Sequence, residues 1–189
     1  MLLFAHLGIT LGAVYILFKL LRKNFDSRIL TITSLGALLP DIIDKPIGQI
    51  LFYDTFHNNR IFAHTLLFIL ILTALGLYLM RNGEDRMLLV AFCSSIHLIL
   101  DEMWNRPKTL FWPTLGWRFE EVNLENYVSD TLSSLTHNPH TYIPEITGLL
   151  ISIFILSKLF ITTTKVKGGI PLEYNRNKTE DQSRDTNDE

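Results

Sequence analysis

His97 and Asp101 stand one helical turn apart at the end of an otherwise apolar run, Met87 to Leu100. That spacing puts an imidazole and a carboxylate on one helix face. Leaving both without partners in hydrocarbon or a dry core costs on the order of several kcal/mol. Something must meet them, and a metal ion or a catalytic partner is the leading candidate. Other segments offer matching chemistry in His6, Asp41, Asp44 and His64, with Arg60 four residues ahead of His64. Two neutral imidazoles with two or three carboxylates form a ligand set for a divalent transition metal, zinc first and manganese or ferrous iron next. Water in an open coordination position would ionise near pH ~7 and supply hydroxide. A carboxylate outside the ligand set, Asp44 for example, could act as general base or orient an imidazole. Arg60 could neutralise a phosphate or another anionic substrate group.

The elements that must position these residues are apolar. The chain has 189 residues, 48% of them hydrophobic, although the stretch from Lys165 to Glu189 is almost entirely polar. Without that tail the composition is too oily for an ordinary soluble domain. A net charge of -2 provides no basic field, so nucleic acid is not an expected partner. Cys93 is the single cysteine, which rules out an intramolecular disulfide. Leu2–Leu21 is interrupted only by His6, Thr10 and Lys19, and its basic residues follow the run instead of preceding it. It therefore reads as a retained transmembrane helix rather than a cleaved signal. Further runs cover Ile29–Leu39, Ile61–Met80, Met87–Met103 and Ile143–Thr163. Those at 61–80 and 143–163 have about the length a bilayer requires; the run at 29–39 stops at Pro40-Asp41.

The pattern predicts an all-α integral membrane bundle of four or five membrane-embedded helices over residues 1–165, with the lipid bilayer as its first partner. Residues 166–189 are expected to form a polar, disordered tail beyond Gly168-Gly169-Ile170-Pro171. With the N-terminus outside, the inner loops hold Lys19, Arg22, Lys23, Arg28, Arg81, Arg86, Lys165 and Lys167, and the outer loops hold fewer basic residues. His6, Asp41, Asp44, His64, His97, Asp101 and Glu145 then all fall toward the outer face. A cell (inner) membrane protein with an extracytoplasmic metal site is the expectation.

Four motifs recur in order: Pro-Asp-Ile-Ile-Asp (40–44), Asn-Arg-Ile-Phe-Ala-His-Thr (59–65), His-Leu-Ile-Leu-Asp (97–101) and Leu-Phe-Trp-Pro (110–113). With an early histidine before them, they resemble the membrane-bound, metal-dependent hydrolases of the YdjM type, also called LexA-binding, inner-membrane-associated hydrolases. The resemblance covers roughly residues 1–160. It implies metal-site roles for His6, Asp41, Asp44, His64, His97 and Asp101. Members of the family often carry His-Arg where this chain has Asn59-Arg60, and His57 lies two residues earlier. A further analogy to zinc-dependent phospholipases and nucleases points to phosphoester or lipid-like substrates.

Other readings compete at single positions. Asp41 and Asp44 also fit turn or cap roles beside Pro40 and Pro46. Glu145 follows Pro144 where a carboxylate suits a helix start. His137 and His140 flank Asn138-Pro139 and read as exposed loop histidines. Trp104, Trp112 and Trp117, with Phe111 and Phe119, lie among Arg106, Lys108 and Arg118, and read as an amphipathic lid at headgroup level. The combined expectation is a membrane-bound hydrolase using metal-activated water, with Arg60 and Asp44 in catalysis. The alternative is a non-enzymatic membrane protein with a structural or regulatory metal or polar cluster.

Overall fold

In the computed structural model, which describes residues 3–120 and 127–168, helices dominate and the described residues contain no strand. The expected disordered tail lies almost wholly outside the described residues. Two units divide the chain, residues 1–155 and 156–189. The first unit carries every residue of the candidate site. The second is described only along its helical stretch, where Leu156, Phe160 and Ile161 are exposed.

α1 (Leu3–Leu20) and the membrane-capable part of α8 (Pro139–Gly168), residues Pro139–Thr162, are long and apolar enough to cross a bilayer. They approach so closely that a Cβ added to Gly8 would lie 1.8 Å from the Gly148 carbonyl oxygen. Only glycine allows that backbone contact. α2 (Ser27–Pro46) starts where the Asp26 carboxylate accepts the Ile29 N–H at 2.9 Å. It does not stop at Pro40, as the apolar run had indicated, but continues to Pro46. Pro40 has no N–H for the Gly36 carbonyl one turn back. Ser94 supplies the missing donor, its hydroxyl bonding Gly36 O at 3.0 Å. A π-turn (Ile47–Leu51) and a short helix, α3 (Tyr53–Phe56), follow.

The run beginning at Ile61 is helical only from Leu66, giving α4 (Leu66–Met80). Thr65 sets that boundary, since its hydroxyl oxygen accepts the Phe68 N–H at 3.0 Å and donates to Phe62 O at 2.8 Å. Residues 57–65 are thereby left as an irregular loop that enters the site. α5 (Arg86–Leu100) packs on α1, α2 and α4. α4 and α5 have 15 residues each, about 22 Å of helix against a hydrocarbon core of about 30 Å. A short 3-10 turn (Met103–Asn105), α6 (Pro107–Leu110) and α7 (Tyr127–His137) complete the order.

Because the helices alternate in direction, the start of α1, the end of α2, the start of α4 and the end of α5 share one end of the bundle. The turns at 21–26 and 81–85 form the other, where Lys23 and Asp85 approach to 3.9 Å. At the first end, Phe62, Trp112 and Phe119 meet with ring centroids 5.2–5.5 Å apart, and Phe56 joins them. The expected lid is thus partly pinned to the 57–65 loop, while Trp117 stays 77% exposed.

Candidate metal centre

His64 and His97, at this end, are each oriented by an acceptor on Nδ1. Asp44, fully buried, accepts His64 Nδ1–H at 2.7 Å. The same carboxylate accepts the backbone N–H groups of Ile61 at 2.7 Å, Ala63 at 2.9 Å and His64 at 3.1 Å. It gathers the 61–64 loop around one anion and fixes the His64 ring within it. His97 Nδ1–H donates to the Ala37 carbonyl at 2.7 Å, next to the turn that Pro40 opens. A carboxylate and a carbonyl can only accept, so both imidazoles carry their proton on Nδ1. Their Nε2 lone pairs then face each other at 3.2 Å. Two lone pairs at that separation require a cation between them, either a proton or a metal ion.

Two carboxylates complete the enclosure. Asp41 Oδ1 lies 3.6 Å from His64 Nε2 and 3.8 Å from His97 Nε2. Its other oxygen accepts Lys45 Nζ at 2.7 Å, one turn along α2. Asp101 Oδ2 lies 3.6 Å and 4.0 Å from the same two nitrogens, and Arg60 Nε donates to it. One ligand atom from each of Asp41, His64, His97 and Asp101 falls within 4.8 Å of all the others. With metal–ligand bonds of about 2.0–2.2 Å, tetrahedral ligand atoms stand about 3.3–3.5 Å apart. The imidazole–carboxylate separations of 3.6–4.0 Å exceed that spacing by a few tenths of an ångström, and all four atoms lie within 4.8 Å, so the donor set can close on a divalent ion.

His6 and Asp44 hold the cluster from outside it. His6 Nε2 meets Asp101 Oδ1 at 3.2 Å, and its ring packs on His97 with centroids 4.1 Å apart. Glu145 takes up a different task. Its carboxylate oxygens accept the N–H groups of Phe4 at 2.9 Å and Ala5 at 3.2 Å, capping α1 from α8. The sequence had suggested a role at the start of its own helix. His57 is half-buried, in a left-handed backbone conformation at φ 42°, and lies outside the four-residue group. His137 ends α7 and His140 lies in the first turn of α8; both are exposed and outside the group.

Lys45, the Ala37 carbonyl and Ser94 were not anticipated from the sequence. Lys45 was legible as Asp41-x-x-x-Lys45, a helical ion-pair spacing; a carbonyl has no sequence signal. Burial, the largest influence, pushes the His64 pKa down. The nearby Asp101 and Asp44 carboxylates, the latter hydrogen-bonded to its ring, outweigh burial and raise it overall. Burial, then the neighbouring Arg60 guanidinium, push Arg106 below its ordinary range, against the pull of Asp101 and Glu120.

Comparison with known proteins gives one family. A family model described as YdjM inner membrane protein matches residues 1–166. No curated protein and no solved structure matches significantly.

Proposed function

The chain belongs to the YdjM inner membrane protein family, and from that premise we propose that it is a membrane-embedded, metal-dependent hydrolase acting on an ester or phosphoester. The observation that carries the reading is the pair of imidazole Nε2 atoms 3.2 Å apart, flanked by two carboxylates. Asp41, His64, His97 and Asp101 hold the ion, zinc by preference for mixed imidazole and carboxylate ligands, with manganese or iron as alternatives. His6 and Asp44 position ligands rather than contacting the ion. A bound divalent ion would bring the pKa of a water toward ~7 and supply the nucleophile.

This chain's own residues do the rest. Asp44 is fully buried and accepts hydrogen bonds on both oxygens, so its part is orientation. Asp41 is the most exposed of the four, at 18%, so the site opens to entering water on its side. Arg60, beside Asp101 with its side chain 20% exposed, neutralises an anionic substrate group. We place α2, α4 and α5 in the membrane alongside α1 and α8. The site end faces the extracytoplasmic side, because Arg22, Lys23, Arg28, Arg81 and Arg86 gather at the opposite end.

A specific observation favours one competing reading. Four side chains fill a tetrahedral shell, as in structural sites, and a non-enzymatic protein with a stabilising ion would look like that. Purification in detergent with elemental analysis, followed by cobalt substitution and optical spectroscopy, tests both. Bound metal with a five- or six-coordinate spectrum and metal-dependent ester hydrolysis supports the hydrolase. A tetrahedral spectrum without hydrolysis establishes the structural ion. Metal content unchanged in His97→Ala plus Asp101→Ala overturns the site itself.

A further inference from the structure

An apolar cleft of about 210 Å³ opens between the start of α4 and the end of α5. Ile69, Leu98 and Met103 form its buried floor, while Leu66, Trp104 and Leu110 line its sides. Ser95 contributes a hydroxyl to the wall, but that proton goes to Ala91 O at 2.8 Å. Polar ligands therefore find little to bond there, and hydrocarbon fits. The cleft and the metal centre grow from the same turns. Leu66 comes two residues after His64, Leu98 directly follows His97, and Met103 comes two residues after Asp101.

The same end of the cleft is cationic. Arg106 lies on the turn joining two wall residues, its N–H bonding Met103 O at 2.9 Å and its carbonyl accepting Leu110 N–H at 3.0 Å. Its half-buried guanidinium is close enough to feel the charges of both Arg60 and Asp101. Lys108 is exposed on the following turn. Around the cleft, α4 exposes Leu67, Leu70, Ile71 and Leu75, an apolar surface continuous with the rim. A hydrocarbon groove ending in a collar of positive charge matches one kind of molecule.

We infer that the groove takes an acyl chain of an anionic phospholipid drawn from the bilayer, whose phosphate is held by Arg60 and Arg106. This deepens the hydrolase reading by naming its substrate class, and it rests on that reading only for the chemistry at the headgroup. Arg106 becomes a specificity residue, selecting anionic over zwitterionic headgroups.

The test uses the full chain in phosphatidylcholine nanodiscs containing a trace of phosphatidic acid with a diazirine in its acyl chain. Photolysis and peptide mass spectrometry should place the label on Ile99, Trp104 and Leu110. Ser95→Trp, and separately Ile99→Trp as a rim substitution less demanding of the fold, should cut that labelling about tenfold by displacing methylenes. Arg106→Gln should cut it more for the phosphatidic acid probe than for a phosphatidylcholine probe. Equal labelling along the exposed face of α8, or labelling indifferent to both tryptophan variants, overturns the groove. Labelling that is blind to Arg106→Gln overturns the headgroup assignment. Elemental analysis of each sample separates the two readings. Specific labelling with metal but no hydrolysis defeats the hydrolase and leaves the groove standing, whereas hydrolysis of a water-soluble ester without labelling defeats the groove alone.

Discussion

At one end of the bundle Lys23 and Asp85 approach to 3.9 Å with side chains 59% and 70% exposed, whereas at the other Arg60 is bonded to Asp101, whose side chain is 2% exposed. Each is a basic side chain paired with an aspartate, and the physics differs. Water and salt screen the first pair, which is worth roughly 0–1 kcal/mol. The second sits among imidazoles and carboxylates whose hydrogen bonds are nearly all made within the protein. Removing one member of such a pair strands a buried charge, at a cost of about 3–5 kcal/mol. The exposed end is tolerant, and the buried end works as a unit.

The sharpest way to break that contrast is to remove both imidazoles. His64→Ala with His97→Ala should take bound metal from about one ion per chain to background by elemental analysis, and retained metal would mean that the carboxylates alone form the site. Next in size, Arg60→Ala in chelator-treated protein should lose about 3 kcal/mol of stability, read as a fall in Tm in detergent. A loss no greater than that of Lys23→Ala would erase the distinction between the ends.

Asp44→Asn should weaken metal affinity about 10- to 100-fold, the usual effect of losing the partner that orients a ligand. Competition against a chromophoric chelator measures it. Acidity gives a signed test through the raised pKa of His64. Its proton competes with the ion, so affinity should be complete above that pKa and fall about tenfold per pH unit below it. Without metal the sign reverses. The stabilisation from protonated His64 is full below its unfolded value of about 6.5 and lost as pH rises through the folded pKa. Opposite slopes of Tm against pH with and without metal are therefore expected, and parallel slopes would remove His64 from the site. Smallest of all, Lys23→Ala should shift stability by no more than about 0.5 kcal/mol.

The apolar runs placed the helices, and their alternating direction placed His6, Asp41, His64, His97 and Asp101 at one end. Boundaries were less visible. Residues 61–65 are apolar enough to read as helix, and only the Thr65 hydroxyl, bonded to Phe68 N–H, shows where α4 begins. Pro40 reads as a stop because the donor that rescues its turn, Ser94, lies 58 residues from Gly36. Asp44 carries the same side chain as Asp41, one turn away on α2. What separates the two is a set of backbone N–H groups around Asp44, and backbone leaves no trace in a sequence pattern. Glu145 was misjudged for the related reason that its partners, Phe4 and Ala5, belong to another helix.

That last contact also sets a timetable. A chain made from its N-terminus emerges with the first turn of α1 long before its cap, which follows 141 residues after Phe4. Until Glu145 arrives, the Phe4 and Ala5 amides have no carboxylate to accept them, and in hydrocarbon such amides are costly to leave bare. The first helix therefore enters the membrane unfinished, with His6 one turn from an unsecured end. α8, made after the others described, acts as a latch. Its Gly148 admits the Gly8 backbone while Glu145 ties off the amides, so the end of α1 that carries His6 is secured only in chains that have been made through α8.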